Sequence, residues 1–559
     1  MPFRMLRRYK MAKRYGKIID TLIKYEFGHL VDQMELRPFK SMRSKFKGDC
    51  ELKGTPLTGP ERARKVLEEL GPTYIKLGQI LSVRQDLIPI KYANELAKLQ
   101  DAVPPFDFED VRLLIRQELG APIDGIFSEF EHEPIAAASI GQVHRAKLHD
   151  GTDVVVKVQR PGIKNVIEAD LDIMYSIAEF SGEHIHDANL YRLVDVVDEF
   201  SRSIHSEMDY TQEARNVDRF LTNFKDDPHI HIPKVYWDFS SERVLTLEYI
   251  EGTRSSDFEK IEELGFDKNE IATYGAKAFM KQVFEHGFFH ADMHPGNVII
   301  MDDGKIALID FGMVGHLSDD VRNALIDGLI ATSKGDIDVL VEILRDFDAI
   351  SEDVDLPALK TDLKYLLDTY YGRSLKQLDA STMMVEMISV LRKHQAKVPA
   401  SIALLSKGVM TISGFGAMMV PDFNATILAE PYARKLMTKR MRPKSIVSGA
   451  FKDIWNFTRM IHKVPTQVTH ILDSAEKGYM NVKFEHRGLD RIVSELDAAS
   501  NRLSFSLIIS ALIVGSSLII QTGMEPLVWG VSLLGLLGFS IAGFFGMGLV
   551  IYILRTGRI

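Results

Sequence analysis

Two long apolar runs near the C-terminus constrain the fold of this chain most strongly. Residues 503–520 and 527–554 contain no charged side chain. As a helix, each run is long enough to cross a hydrocarbon core of about 30 Å. The short polar segment 521–526 lies between them. The sequence therefore predicts a C-terminal transmembrane helical hairpin over residues 503–559.

The orientation of this hairpin follows from the charges at its ends. Arg502, Arg555 and Arg558 flank the two outer ends, and the connecting segment contains no Lys or Arg. Because positive residues favour the cytoplasmic side, we expect a multi-pass protein of the cell membrane with residues 1–500 in the cytoplasm. Small residues recur every four positions in the second run, at Gly538, Ala542 and Gly546. This spacing lets helices approach closely and offers a surface for oligomer formation. A buried hairpin of a soluble protein is the alternative.

The N-terminal segment is basic, whereas the whole chain carries a net charge of −9. Seven Lys and Arg residues precede the first acid, Asp20, and an amphipathic stretch covers residues 18–31. Two interpretations remain open, a helix lying on an anionic membrane surface and a helix packed on the protein. The acidic balance argues against nucleic acid as a partner. The single cysteine, Cys50, excludes a disulfide within the chain and a thiolate metal cluster.

The chain of 559 residues is too long for one hydrophobic core, since cores stop growing at about 250–300 residues. Strand patterns flank the Asp150-Gly151 turn, and one long helix is predicted over residues 192–224. A second strand pair is predicted at 235–239 and 243–248, and a hairpin at 298–309. The predicted organisation is a basic segment (1–60), a helical extension (61–120), a small sheet-rich lobe (121–250), a helical lobe (251–435), an amphipathic helical linker (436–502) and the hairpin (503–559). The predicted fold class is α+β with two lobes.

The residues that point to chemistry flank the hairpin predicted at 298–309. In His290-Ala-Asp-Met-His-Pro-Gly-Asn297, Asp292 precedes Asn297 by five positions, and Asp310-Phe-Gly312 follows the hairpin. This order and spacing resemble the catalytic loop and the metal-binding Asp-Phe-Gly segment of protein kinases. Asp292 is then the catalytic carboxylate that orients a hydroxyl or water. Asn297 and Asp310 supply the hard oxygen atoms that Mg²⁺ prefers, so the predicted cofactors are ATP and Mg²⁺.

Further candidate residues lie in the predicted small lobe. Lys157 ends Val-Val-Val-Lys and resembles the strand lysine that reaches ATP phosphates. Its partner acid is expected on the following helix, where the spacing does not choose between Glu207, Asp209 and Glu213. The position of a glycine-rich phosphate loop carries Ala136, Ala137, Ala138 and Ser139. Alanine restricts the backbone more than glycine does, which predicts a changed phosphate grip that Ala137→Gly would test. Glu248 and Ile250 are predicted to bind the adenine edge through backbone groups.

These motifs together resemble the UbiB (AarF/ADCK-type) family of atypical kinases over residues 60–435. The resemblance rests on Lys76-Leu-Gly-Gln79, the alanine-rich loop, Glu207-Met-Asp209 and the two segments around the hairpin. It implies a two-lobed protein-kinase-like fold in which Glu213 pairs with Lys157. It also implies that the helical extension folds over the cleft, so that Lys76 and Gln79 face Glu207 and, with Asp209, regulate the site.

The resemblance further implies an ATPase or unorthodox kinase that supports the biosynthesis of isoprenoid quinones such as ubiquinone. The expected partners are membrane lipid, a quinone precursor and biosynthetic enzymes. No Ala-Pro-Glu segment follows Gly312, which argues against protein substrates. Two alternatives stay open. The loop around Asp292 also resembles that of aminoglycoside and choline kinases, which suggests a small-molecule or lipid kinase. A nucleotide-binding scaffold of a membrane complex is the second alternative.

Overall fold

The computed structural model describes residues 2–27, 57–99, 103–184, 193–347, 349–350, 354–370, 380–420, 423–428, 431–432, 435, 489–523 and 525–556. They belong to two compact units, Met1–Ile446 and Val447–Ile559. Cys50 and most of the predicted linker 436–502 lie outside the described residues.

The first unit begins with a helical extension. Its helices are α1 (Pro2–Lys24), α2 (Gly59–Leu70), α3 (Pro72–Val83) and α4 (Ile90–Leu96). Helix α2 starts at a capping box between Thr58 and Glu61, which satisfies amide groups at its N-terminus. Ile18 and Tyr25 of the N-terminal segment are buried against this extension. Of the two interpretations of the basic segment, packing on the protein is therefore the one found for its described side chains.

The small lobe is built on an antiparallel sheet. Its elements are α5 (Phe108–Leu119), α6 (Ile123–Ile126), β1 (Phe127–Phe130), β2 (Ala136–Ala137), β3 (Gly141–Leu148), β4 (Asp153–Gln159), α7 (Ile163–His184), α8 (Leu193–Met208), α9 (Tyr210–Phe224), β5 (Ile230–His231) and β6 (Val244–Glu248). The strand order is β1-β3-β4-β6, with β2 paired to β3, and β5 belongs to another sheet. Val154, Val156 and Val158 are fully buried on one face of β4. Because side chains alternate along a strand, Lys157 lies on the other face.

Two sequence predictions for this lobe are wrong. The helix predicted over 192–224 is two helices, α8 and α9, because Asp209 between them has an extended backbone and accepts a hydrogen bond from the N–H of Thr211. Such a side-chain acceptor starts a new helix. The strand predicted at 235–239 is a single bridge at Val235 followed by a 3₁₀ turn, Trp237–Phe239.

The large lobe is mostly helical. Its elements are β7 (Thr253–Arg254), α10 (Phe258–Glu263), α11 (Lys268–Lys281), β8 (Phe288–His290), β9 (Val298–Ile300), β10 (Ile306–Leu308), β11 (Val314–His316), α12 (Asp319–Lys334), α13 (Ile337–Asp346), α14 (Leu356–Tyr370), α15 (Ala380–Lys393) and α16 (Ala400–Met419). The predicted hairpin is confirmed, since β9 and β10 pair antiparallel. Strand β11 pairs with β8, which brings the segment after Gly312 beside the start of the His290–Asn297 loop.

The described residues of the second unit include two long helices, α17 (Leu489–Thr522) and α18 (Leu533–Thr556). The second apolar run was predicted to be helical from residue 527. Instead, Leu527–Val528 and Val531–Ser532 form two short paired strands before α18 begins. The helices approach closely: a Cβ atom added at Gly538 would lie 2.1 Å from the Oγ of Ser516. Ser500–Thr522 and Leu533–Val550 are long and apolar enough to cross a membrane.

Candidate active site

The lysine of β4 is paired with the first turn of α9. The Nζ of Lys157 lies 2.8 Å from an Oε of Glu213, which is buried. Of the three acids that the spacing left open, Glu213 therefore makes this contact. Burial opposes the charge on Lys157, but the carboxylates of Glu213 and Asp310 outweigh it and raise the pKa of Lys157 well above its ordinary value. Lys157 is thus a cation in the cleft.

The catalytic-loop segment is held by its own side chains and by a buried histidine. The Nδ2 of Asn297 donates to the carbonyl of Asp292 at 3.1 Å. The N–H of Asp292 donates to Nδ1 of His290 at 3.1 Å, and Nε2 of His290 donates to the carbonyl of Asp310 at 2.7 Å. Burial lowers the pKa of His290, which favours the neutral ring that this pattern requires. His290 thereby connects the Asp292 segment to the Asp310 segment.

Asp310 adopts the left-handed backbone conformation, with a φ of +64°. Its Oδ1 accepts a hydrogen bond from the N–H of Gly312 at 3.1 Å. Burial opposes ionisation, but the Lys157 ammonium and the Gly312 N–H outweigh it and lower the pKa of Asp310. Asp310 is therefore an ionised carboxylate.

The predicted metal ligands offer the donor set that Mg²⁺ takes. The amide nitrogen of Asn297 is used by Asp292, so its oxygen is the atom suited to an ion, together with the carboxylate of Asp310. Among the described residues, no group of three or more His, Cys, Asp or Glu side chains could hold a metal. Mg²⁺ binds through one or two protein oxygens plus phosphates and water, so two ligands fit this ion.

The helical extension reaches the same cleft. Lys76 on α3 lies 2.5 Å from Glu207 near the end of α8, and the Lys76 charge contributes to the lowered pKa of Asp310. Gln79, which was expected to face Glu207, donates to the carbonyl of Leu99 at 3.3 Å. Asp209 caps α9. The structure thus brings Lys76 and Glu207 together, whereas Gln79 and Asp209 make local structural contacts.

The alanine-rich loop is closed by backbone hydrogen bonds. Ala136 and Ala137 pair with β3, and the N–H of Ala138 donates to the carbonyl of Gly141 at 2.7 Å. Ser139 is fully buried. The two pairs make the first part of the loop a continuation of the sheet, a geometry that alanine adopts without strain.

The predicted adenine-binding segment follows β6. The N–H of Glu248 donates to the carbonyl of Lys234 at 2.9 Å, and its carboxylate accepts from His231 and from the N–H of Lys234. Ile250 is buried. The N–H and the side chain of Glu248 are therefore used within the small lobe, and adenine binding by this segment stays a prediction.

Several residues at this site were not found from the sequence. The ring of Tyr210 is centred 5.1 Å from Nζ of Lys157, a cation–π contact. Gln282 accepts from the N–H of His290 at 2.8 Å, and Asn216 donates to the carbonyl of Phe311 at 3.1 Å. Lys407 lies 3.3 Å from an Oδ of Asp292. The sequence alone could have pointed to Lys407, because it is the only charged residue of α16.

The segment after Asp310-Phe-Gly312 is short. β11 spans Val314–His316, and α12 begins at Asp319. Few residues therefore remain for the activation segment on which protein kinases bind their substrates, as expected from the sequence.

The two lobes, the helical extensions and the residues in the cleft define a protein-kinase-like fold. The chain belongs to the ABC1 atypical kinase-like family. Residues 98–344 match the ABC1 atypical kinase-like domain, residues 363–424 the UbiB helical domain, and residues 487–555 the ABC1/UbiB kinase-like C-terminal domain.

Relatives match almost the whole chain. An uncharacterized protein in the hydrogenase 1 5′ region of Clostridium pasteurianum is 32% identical over 550 residues, which cover 98% of this chain and 99% of the relative. The chloroplastic protein ACTIVITY OF BC1 COMPLEX KINASE 7 of Arabidopsis thaliana is 34% identical over 475 residues, 85% of this chain and 66% of the relative. The Rv3197–erythromycin complex from Mycobacterium tuberculosis is 26% identical, with a TM-score of 0.43 over 65% of this chain and 93% of that one.

Proposed function

We propose that this protein is an atypical kinase or ATPase that uses Mg-ATP and is held at a membrane by its C-terminal hairpin. The observation that carries the proposal is the ion pair between Lys157 and Glu213 beside the ionised Asp310. A lysine ammonium next to the ionised carboxylate of Asp310, with Asn297 nearby in the chain, suits the phosphates of a nucleotide and their metal ion.

In this proposal the residues of the cleft act by positioning and by charge. Lys157 binds the ATP phosphates, and Glu213 holds its ammonium in place. Asn297 and Asp310 would hold Mg²⁺, which neutralises charge on the phosphates. Asp292 orients the attacking hydroxyl or water. Phosphoryl transfer needs little covalent chemistry from the protein, so such a set of groups is sufficient.

We further propose that the phosphoryl acceptor is a membrane lipid or that the activity serves a membrane-lipid pathway. Isoprenoid-quinone biosynthesis is the first pathway to test. The short segment after Gly312 and the Lys76–Glu207 contact at the cleft disfavour a protein substrate. The apolar hairpin favours work at a membrane, and the family resemblance suggests the quinone pathway.

The test is ATP turnover by the purified full-length protein, with and without lipid extract. Asp310→Asn is expected to lower turnover by about 100-fold or more, the usual cost of losing one electrostatic group at a reacting centre. The matched control is Asp303→Asn, an exposed aspartate in the turn between β9 and β10. Equal turnover by the native protein and Asp310→Asn would refute the proposed site.

Two further measurements separate the alternatives. Soluble alcohols and lipid headgroup analogues are compared as stimulants of ATP consumption, which distinguishes a small-molecule kinase from a lipid kinase. Asp292→Asn is then tested for support of the lipid pathway in cells. Full support by this variant would favour the nucleotide-binding scaffold, because turnover would not be required.

A further inference from the structure

Helix α16 carries one charge in an otherwise apolar sequence. Of the residues Ala400–Met419, Lys407 alone is charged, and its side chain is 20% exposed. An ammonium held mostly out of water is costly unless an anion is close to it. The position of Lys407 therefore requires an anionic group close to its ammonium.

The packing of α16 determines where Lys407 lies. A Cβ atom added at the next residue, Gly408, would lie 2.8 Å from the ring of Phe279 and 3.7 Å from the ring of Phe289. Gly408 thus allows α16 to lie directly on α11 and on β8, which leads into the His290–Asn297 loop. Leu405 and Ile412 are buried in the same core. Lys407 is consequently presented from a rigid helix.

The ammonium of Lys407 reaches both segments of the site. Its Nζ lies 3.3 Å from Oδ2 of Asp292 and 3.0 Å from the sulfur of Met313, the residue after Gly312. The Asp292 side chain is 35% exposed and remains open to a ligand. Lys157 contacts Glu213, and Lys76 contacts Glu207. Lys407 instead contacts Asp292, the carboxylate expected to orient the nucleophile.

The contact between Lys407 and Asp292 offsets a charge repulsion at the site. An unneutralised carboxylate at Asp292 would repel the negatively charged phosphoryl group that has to come close to it. An ammonium at 3.3 Å offsets that repulsion and holds the carboxylate in one orientation. Both effects are largest when the phosphoryl group is being transferred.

We propose that Lys407 is a positioning residue for phosphoryl transfer, which acts by holding and neutralising Asp292. This inference rests on the proposed function. It assigns to the helical part of the chain after residue 363 a role in the reaction itself, in addition to its role in the core.

The test measures kcat and Mg-ATP affinity separately for full-length variants. Lys407→Met keeps the apolar stem and removes the charge. It is expected to lower kcat by about 10- to 100-fold while the Kd of Mg-ATP changes less than about twofold, because the effect acts on the transition state. Lys407→Arg restores the charge and is expected to recover most of the lost kcat. The matched control is Lys393→Met, which removes an exposed lysine 2.6 Å from Asp362.

Three results would overturn the inference. The first is a kcat of Lys407→Met within twofold of the native value. The second is a loss that appears in Mg-ATP affinity with kcat unchanged. The third applies if Lys407→Met does not fold: a folded Lys407→Arg with a kcat about 10-fold or more below the native value also refutes the role.

Asp292→Asn, measured in parallel, separates the two proposals. If Asp292→Asn is inactive while Lys407→Met keeps native turnover, only the inference about Lys407 fails. If Asp310→Asn turns over ATP as fast as the native protein, the proposed site fails. If Asp292→Asn does so, the role given to Asp292 fails, and with it the basis for a role of Lys407.

Discussion

Three helices of this protein look alike in composition, yet their surroundings differ. Ala400–Met419, Ser500–Thr522 and Leu533–Val550 are each long and apolar enough to cross a membrane. In the most apolar 18 residues of the first helix, 44% of the residues are buried. The corresponding shares in the other two helices are 6% and 11%. Apolar composition shows only that a helix avoids water. Whether protein or lipid covers it depends on the neighbours that the fold supplies.

The largest expected effect is on membrane insertion, when a lysine is placed on each of the two types of helix. Met418 on α16 and Val514 on α17 are both 59% exposed. If lipid covers α17, Val514→Lys costs about 2.5–3.5 kcal/mol for a charge near the helix centre. Met418→Lys places its charge in water and should have little effect. The measurement is the fraction of each variant that remains in the membrane after alkaline extraction.

Two outcomes would break this contrast. Equal losses for Val514→Lys and Met418→Lys would mean that lipid also covers the exposed face of α16. Release of the native protein from the membrane by alkaline extraction would refute the spanning hairpin.

A smaller effect separates two glycines on α16. A Cβ atom added at Gly408 would lie 2.8 Å from the ring of Phe279, whereas one added at Gly414 would meet nothing within 4 Å. Gly408→Ala should lower the free energy of unfolding by about 1–3 kcal/mol through overpacking. Gly414→Ala should raise it by up to about 1 kcal/mol, since alanine favours the helix. Denaturant unfolding of the two variants gives both values, and a tolerated Gly408→Ala would contradict close packing of α16 on α11.

The smallest effect is expected within the hairpin. A Cβ atom at Gly538 would lie 2.1 Å from Oγ of Ser516, whereas one at Gly543 meets nothing within 4 Å. Because the short Ser516 side chain can rotate away, Gly538→Ala should cost only about 1 kcal/mol, the lower end of overpacking. The thermal unfolding midpoint in detergent should fall for Gly538→Ala and not for Gly543→Ala. Identical midpoints would indicate that the two helices do not pack through Gly538.

The predicted site was most complete where its residues are close together in the chain. Asp292, Asn297 and Asp310 flank one short hairpin, so a local pattern was enough to relate them. Spacing alone left the partner of Lys157 open because it is 56 residues away, and the family resemblance was needed to predict Glu213. In the structure, the break at Asp209 separates Glu207 and Glu213 onto different helices. The Asp-x-Thr capping pattern there could have predicted this break.

The sequence by itself determined the order of the kinase-like segments, the lobes and the apolar hairpin, because periodicity, turn residues and short motifs are local properties. Only the tertiary structure decided which helix covers which surface. It covered part of α16 with protein, although its composition equally suits a membrane, and brought Lys407 to Asp292 and to Met313, 94 residues away in the chain. Such contacts depend on side chains from distant elements packing together, and no local pattern contains that information.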